Sequence, residues 1–251
     1  MTPERWTDNP RLVAAYDVEC AGRWDHDFYL DRARALGAHR LADVGCGTGV
    51  FAIDAAERGH SVIAVDPSAT MLDRARQRAS HLAIDWRLGG ADSLPDASAD
   101  LVVMMGHVAQ YFVTDEEWQQ ALADCHRALG AGGHLTFESR NPAAREWETW
   151  TEAATRQRYD LGDGDWFESW VVSTAVHGDP ESPTEIHEGH TVFADDQHIV
   201  AEETLRFRTA PEITASLAAA GFEVVEVAGK WDGSPYVAGS PEIIVLARRS
   251  G

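Results

Sequence analysis

Between residues 40 and 139 short apolar runs alternate with helical patterns, and that alternation restricts the chain to stacked βαβ units on a mainly parallel sheet. The runs that read as strands are 40–44, 61–65, 84–88, 101–105 and 134–138. A first helix starts near Thr48 and stops at Gly59. A second follows Ser68, whose hydroxyl suits an N-cap, and lines Met71, Leu72, Ala75 and Ala79 along one face. A third, 115–129, opens on a capping box of Thr114 and Glu117, carries Trp118, Ala121, Leu122, Cys125 and Leu129 as its apolar stripe, and has Gly130 at its C-terminal cap.

The chain ends on a similar unit. Thr209-Ala-Pro-Glu212 is another capping box with Pro in the first turn, its helix runs to Gly221, and strands 222–227 and 242–247 follow. The loop between these strands is too short for a crossover helix, so they are expected to pair as an antiparallel hairpin at the sheet edge, giving seven strands. Between Arg145 and Arg208 the runs lengthen (166–177, 190–193, 199–208) around turn clusters at 178–183 and 195–197, which reads as an inserted antiparallel β meander. The insertion is rich in tryptophan (Trp147, Trp150, Trp166, Trp170) and follows the fifth strand, where open α/β sheets place ligands. It reads either as a lid over a site or as a second core or dimer surface. The expected organisation is 1–144 with 209–251 as one domain, residues 1–37 of it a helical arm, and 145–208 as the insertion.

Asp43-Val-Gly-Cys-Gly-Thr-Gly49 lies where the first strand turns into a helix. Glycines at alternate positions let the backbone pass close under a ligand. A carboxylate two residues before the first glycine would repel a pyrophosphate, whereas a ligand bearing an amine and a sulfonium gains from it. Val50 also replaces the third glycine of the G-x-G-x-x-G dinucleotide fingerprint. Asp66, closing the second strand, is placed to accept ribose hydroxyls, and Asp92, in Gly-Gly-Ala-Asp-Ser93 after the third, to accept an adenine amino group. Each acid alone reads as a solvated loop residue; their order after strands one, two and three gives them meaning.

With these motifs the chain resembles a class I S-adenosylmethionine-dependent methyltransferase, specifically from about Tyr16 to Ser139 and more loosely over the last helix and hairpin. The resemblance implies a Rossmann-like, doubly wound sheet of order 3-2-1-4-5-7-6 with strand seven antiparallel. It implies S-adenosyl-L-methionine as cofactor, the glycine loop at its methionine part, the acid after strand two at its ribose and the Ala-Asp pair at its adenine. Carried onto this sequence, the cofactor set is Tyr16, Asp43, Gly45, Cys46, Gly47, Gly49, Asp66, Pro67, Ser68, Met71, Ala91, Asp92, Ser93, Gly106 and His107. Ser139-Arg-Asn-Pro142, Trp147 and Trp231-Asp-Gly-Ser-Pro235 resemble a bacterial small-molecule subgroup, which offers Arg140, Asn141, Trp147 and Trp231 as substrate residues. Tyr16 and the segment from Trp24 to Tyr29 read as folding over the cofactor or as core.

Methyl transfer to a hydroxyl needs a held nucleophile and an acceptor for its proton. His107, after strand four, is the first candidate base and Tyr111 the second, with Glu138, Arg140 and Asn141 behind them; His107 also reads as a packing or hydrogen-bonding residue. An unprotonated amine acceptor would need little beyond positioning. His177, His187, His190 and His198 invite a metal reading, but residues three apart on a meander face opposite sides, so no metal is expected. Cys46 reads as packing rather than as a nucleophile.

Composition narrows the partners. A formal net charge of −20, with Lys230 the single lysine, opposes binding to nucleic acid or anionic membrane. No run approaches the roughly 18 apolar residues of a membrane helix, the first residues lack a secretory core, and the three cysteines are unrelated in spacing, so a cytoplasmic monomer or homodimer is expected. The sequence therefore points to transfer of a methyl group to O or N of a small molecule, with a NAD-dependent oxidoreductase or a non-catalytic cofactor-binding protein as alternatives.

Overall fold

The computed structural model describes residues 5–22 and 25–251; Trp24 lies outside them. Its centre is a seven-stranded sheet built from β1 (Arg40–Val44), β2 (Ser61–Asp66), β3 (Ile84–Leu88), β4 (Ala99–Met104), β5 (Leu129–Arg140), β10 (Phe222–Ala228) and β11 (Glu242–Arg249). The order is β3-β2-β1-β4-β5-β11-β10. β11 runs antiparallel to both β5 and β10, and the remaining neighbours are parallel. This is the doubly wound order expected of the resemblance, with the last two strands as the edge hairpin.

Central strands of such a sheet are covered on both faces and so read as unbroken apolar runs. β4 shows why: Val102 and Met104 enter one core with Trp118, Leu122, Phe137, Ile213 and Leu217, while Leu101 and Val103 enter the other with Tyr29, Leu30, Phe51 and Ala55. The first core lies under α5 (Asp115–Ala128) and α7 (Ala210–Ala219), the second under α2 (Asp25–Leu36) and α3 (Val50–Glu57). Each fully buried Leu, Val or Phe contributes about 1.5–3 kcal/mol of transfer free energy, which makes this packing the main support of the site above it. Both capping boxes form, Thr114 with Glu117 and Thr209 with Glu212. α4 (Ala69–Arg78) starts at Ser68, whose Oγ accepts from the Met71 N–H.

Three boundaries differ from expectation. Gly130 caps nothing: β5 begins at Leu129, which pairs with Ala99, so the helix passes straight into the strand. The residues flanking the 178–183 turn belong to strands, since β7 (Asp165–Asp179) and β8 (Ser182–Phe193) pair out to Asp179 opposite Ser182. A further strand, β6 (Gln157–Gly162), was not legible because most of its residues are exposed and polar. With β9 (His198–Arg206) these make a four-stranded antiparallel sheet of order β6-β7-β8-β9, preceded by a short α6 (Glu152–Thr155).

One face of this second sheet carries its own small cores. Phe167, Phe193 and Ala201 bury Leu12 and Ala15 of α1 (Pro10–Glu19), and Leu205 packs with Trp147, Trp150 and Phe207. Arg11 of α1 also holds Asp195 through both guanidinium ends and lies 3.8 Å over the Phe193 ring. The inserted sheet is thus packed against the N-terminal arm. Among the described residues no helix is long and apolar enough to cross a membrane.

Candidate active site

The glycine turn joins β1 to α3 at the carboxyl edge of the sheet. Gly45, Gly47 and Gly49 all have positive φ, at 74°, 55° and 75°, where a side chain is strained. They differ in what a side chain would meet. A Cβ on Gly45 would lie 2.6 Å from Val108, and one on Gly49 would lie 2.4 Å from Trp86, so these two glycines are required by protein packing. Beside Gly47 there is open space. Asp43 is buried at the base of the turn and lines a pocket with Tyr16, Gly45, Cys46, Thr48 and Met105.

Asp66 stands at the end of β2, also buried; its carboxylate accepts from the Gly47 N–H at 2.9 Å and the Ser68 N–H at 2.8 Å. Burial raises its pKa, and those two donors act against the rise. The acid therefore ties the glycine turn to the next βα turn. Burial, with Asp43 and Asp66 nearby, pushes the Cys46 thiol well up, which leaves it protonated and unreactive. Ser68 is fully engaged, donating to the Thr7 carbonyl and capping α4, while Met71 is buried in that helix and Pro67 is exposed. Ala91 is buried and Asp92 exposed, its carboxylate accepting from the Gly90 N–H, and the Ser93 hydroxyl donates to the Gly90 carbonyl.

After β4 the chain turns through Gly106 and His107, both left-handed; φ is 61° at His107, a conformation that costs a non-glycine residue about 1–2 kcal/mol. Two carboxylates hold it there. The His107 N–H donates to Glu138 Oε1 at 2.7 Å, and its ring Nε2 lies 3.2 Å from both carboxylate oxygens of Glu242. Glu138 is fully buried and also accepts from the Tyr29 hydroxyl. Tyr111 is placed differently: its side chain is exposed, and its hydroxyl donates to Glu203 of β9 at 2.8 Å. That bond ties Tyr111 to the inserted sheet.

The substrate candidates separate in the same way. Arg140 is half-buried, donates to Gln110 at 3.0 Å and lies over Trp150. Asn141 is buried and spends its amide within its own loops, donating to the Ala238 and Ser240 carbonyls and accepting from the Ala143 N–H. Trp147 is core, 4.6 Å from Phe207. Trp231 packs edge-on against Phe28 and Tyr29 of α2. Of the four, Arg140 alone stands beside the His107 pair, through Glu242, its register partner on β11.

Residues 41–133 match the model of a family described as a methyltransferase domain. A solved S-adenosylmethionine-dependent methyltransferase from Clostridium acetobutylicum has the same fold, with a TM-score of 0.75 over 96% of this chain and 98% of that one at 15% identity. The chain has the fold of the class I methyltransferases. The chain is 29% identical to the cypemycin N-terminal methyltransferase of a Streptomyces species, over 88% of its own length and 87% of that protein's. It is 27% identical to the glycine/sarcosine N-methyltransferase of Halorhodospira halochloris over 55% of its own length, and spans about half of that relative, 51%. The oxidoreductase alternative finds no support among these likenesses.

One residue of the site had no sequence signal. Glu242 opens the last strand, where an acid reads as a solvated end; in the structure its carboxyl is largely buried, and burial raises its pKa to about 7, with Arg140 opposing. Of the histidines that invite a metal reading, His187 and His190 occupy opposite faces of β8. His187 is buried between Glu185 (2.9 Å) and Glu203 (3.3 Å), whereas His190 stacks on Trp170 and bonds His198. Among the described residues no cluster of three His, Cys, Asp or Glu side chains is arranged to hold a metal ion.

Proposed function

We propose that the protein transfers a methyl group from S-adenosyl-L-methionine to O or N of a small-molecule acceptor. The observation that carries the reading is the pocket that Tyr16, Asp43, Gly45 and Cys46 line at the glycine turn, with Asp66 at the neighbouring strand end. A carboxylate lining such a pocket favours a ligand that bears an amine and a sulfonium. Bound there, the cofactor supplies a methyl group on a positively charged sulfur, open to in-line attack. Asp43 and the turn hold its methionine end, Asp66 its ribose, Asp92 with Ala91 and Ser93 its adenine, and Tyr16 closes the pocket from α1.

The chain's own residues then position the acceptor and take its proton. His107, held in a left-handed turn at the strand ends, is the base for a hydroxyl acceptor, and its strained backbone supports that role because strain persists where function requires it. Arg140 and the inserted sheet bound the acceptor side, with residues 145–208 as the covering element and 1–144 with 209–251 as the cofactor-binding one. The acidic surface, at a net charge of −20, suits neither nucleic acid nor anionic membrane as substrate. A cytoplasmic setting belongs to the same reading.

The test is turnover. Purified protein with methyl-labelled S-adenosylmethionine and a panel of small amines, alcohols and carboxylic acids is expected to release S-adenosylhomocysteine with at least one class. Cofactor binding with no turnover on any class would favour the non-catalytic alternative.

A further inference from the structure

The His107 ring and the Glu242 carboxylate come from distant parts of the chain, 135 residues apart, and meet at the carboxyl ends of β4 and β5. The pairing is symmetric, Nε2 at 3.2 Å from each oxygen, and both side chains are largely buried, at 18% and 12% exposure. An imidazole beside a carboxylate carries its proton on the nitrogen that faces the oxygens, and its lone pair is then on the other nitrogen. Backbone placement is fixed separately, by the His107 N–H on Glu138, itself held by Tyr29. Two acids on adjacent strands therefore set the position and the tautomer of one histidine.

We propose that Glu242 is a positioning residue that keeps His107 in the Nε2–H tautomer, so that Nδ1 takes the acceptor's proton during methyl transfer. The inference rests on His107 being the base in the reading above. For a hydroxyl acceptor, an oxygen electron pair forms the bond to the methyl carbon. The carbon–sulfur bond breaks with its pair going to sulfur, and the O–H proton passes to Nδ1. The resulting imidazolium is stabilised by the Glu242 carboxylate and later returns the proton to solvent.

Arg140 faces Glu242 from β5 and is itself paired with Glu146 at 3.3 Å, and Glu138 lies behind the His107 backbone. Because burial raises the Glu242 carboxyl to about 7, the carboxylate form that fixes the tautomer prevails above neutral pH and is lost below it.

The experiment is nitrogen-15 NMR of the His107 ring in the full-length protein with S-adenosylhomocysteine, comparing the native chain with Glu242→Gln. The substitution is close to isosteric and removes a buried charge, so the fold is expected to survive; Glu242→Asp, which keeps the acid, is the second variant. The native ring should show Nε2–H alone above pH 8, and E242Q a mixture of tautomers with the ring pKa lower by about one unit, while E242D retains most of the native signature. Identical ring spectra and pKa in the native chain and E242Q would overturn the proposal. With an acceptor that turns over, E242Q should lower kcat about tenfold, leave KM within about twofold and move the acidic limb of the pH profile. A native pH profile and kcat in E242Q would also overturn it. These readouts fail separately from the methyltransferase reading itself, since ring nitrogens report the pairing whether or not any methyl group is transferred.

Discussion

At the residue scale Asp66 is the clearest link between sequence and chemistry. It sits where a carboxylate can hold two turns of backbone and still present oxygen lone pairs to a diol. Asp66→Ala is expected to weaken S-adenosylmethionine binding by about 1.5–3 kcal/mol, the scale of hydrogen bonds to a charged group, as read by calorimetry; native affinity would move the ribose elsewhere. Gly49→Ala is a different kind of change, because a methyl group there is both left-handed and driven into Trp86. It should cost about 2–4 kcal/mol of unfolding free energy in urea, and an unchanged midpoint would contradict the packing described for the turn. The places of Asp43 and Asp66 at the ends of β1 and β2 were legible because a strand's end is marked by its pattern. The partners of Asn141 and Trp147 were not, since they lie far along the chain, at Ser240 and Phe207. Glu242 gave no signal at all: its burial is made by neighbours that no local pattern shows.

Elements were read best where periodicity and caps agreed. α5 and α7 have both, and begin where their capping boxes say. The junction of α5 with β5 misled because Gly130 is a good cap in isolation, whereas the pairing of Leu129 with Ala99 draws the chain directly into the sheet. β6 was lost because an exposed edge strand lacks the alternation that burial of one face imposes. Within the inserted sheet, His187 joins β8 to β9 between two acids. Burial works against its charge, but the hydrogen bonds to Glu185 and Glu203 prevail and raise it to about 9 from an ordinary 6.5. A raised histidine stabilises the fold fully below pH 6.5 and loses that contribution as pH rises through about 9. His187→Gln should therefore cost roughly 3 kcal/mol at pH 6.5 and much less at pH 9.5, measured by urea unfolding at both; an equal cost at the two would remove the charge from the account.

For the whole molecule, the order β3-β2-β1-β4-β5-β11-β10 brings Asp43, Asp66, Asp92, His107 and Glu242 to one edge of a single sheet, although they span most of the chain. The number of strands and the edge hairpin could be read from runs and loop lengths, but their spatial order came only from resemblance, because a strand pattern does not say which neighbour it chooses. The insertion proved to share a core with α1, the arm whose Tyr16 lines the pocket. The central claim, a cofactor pocket made for a sulfonium nucleoside, is tested most directly by calorimetric titration of the full-length protein with S-adenosylmethionine, S-adenosylhomocysteine and NADH in parallel. Saturable binding of both sulfur nucleosides and none of NADH is the expected result; binding of NADH alone would contradict the account.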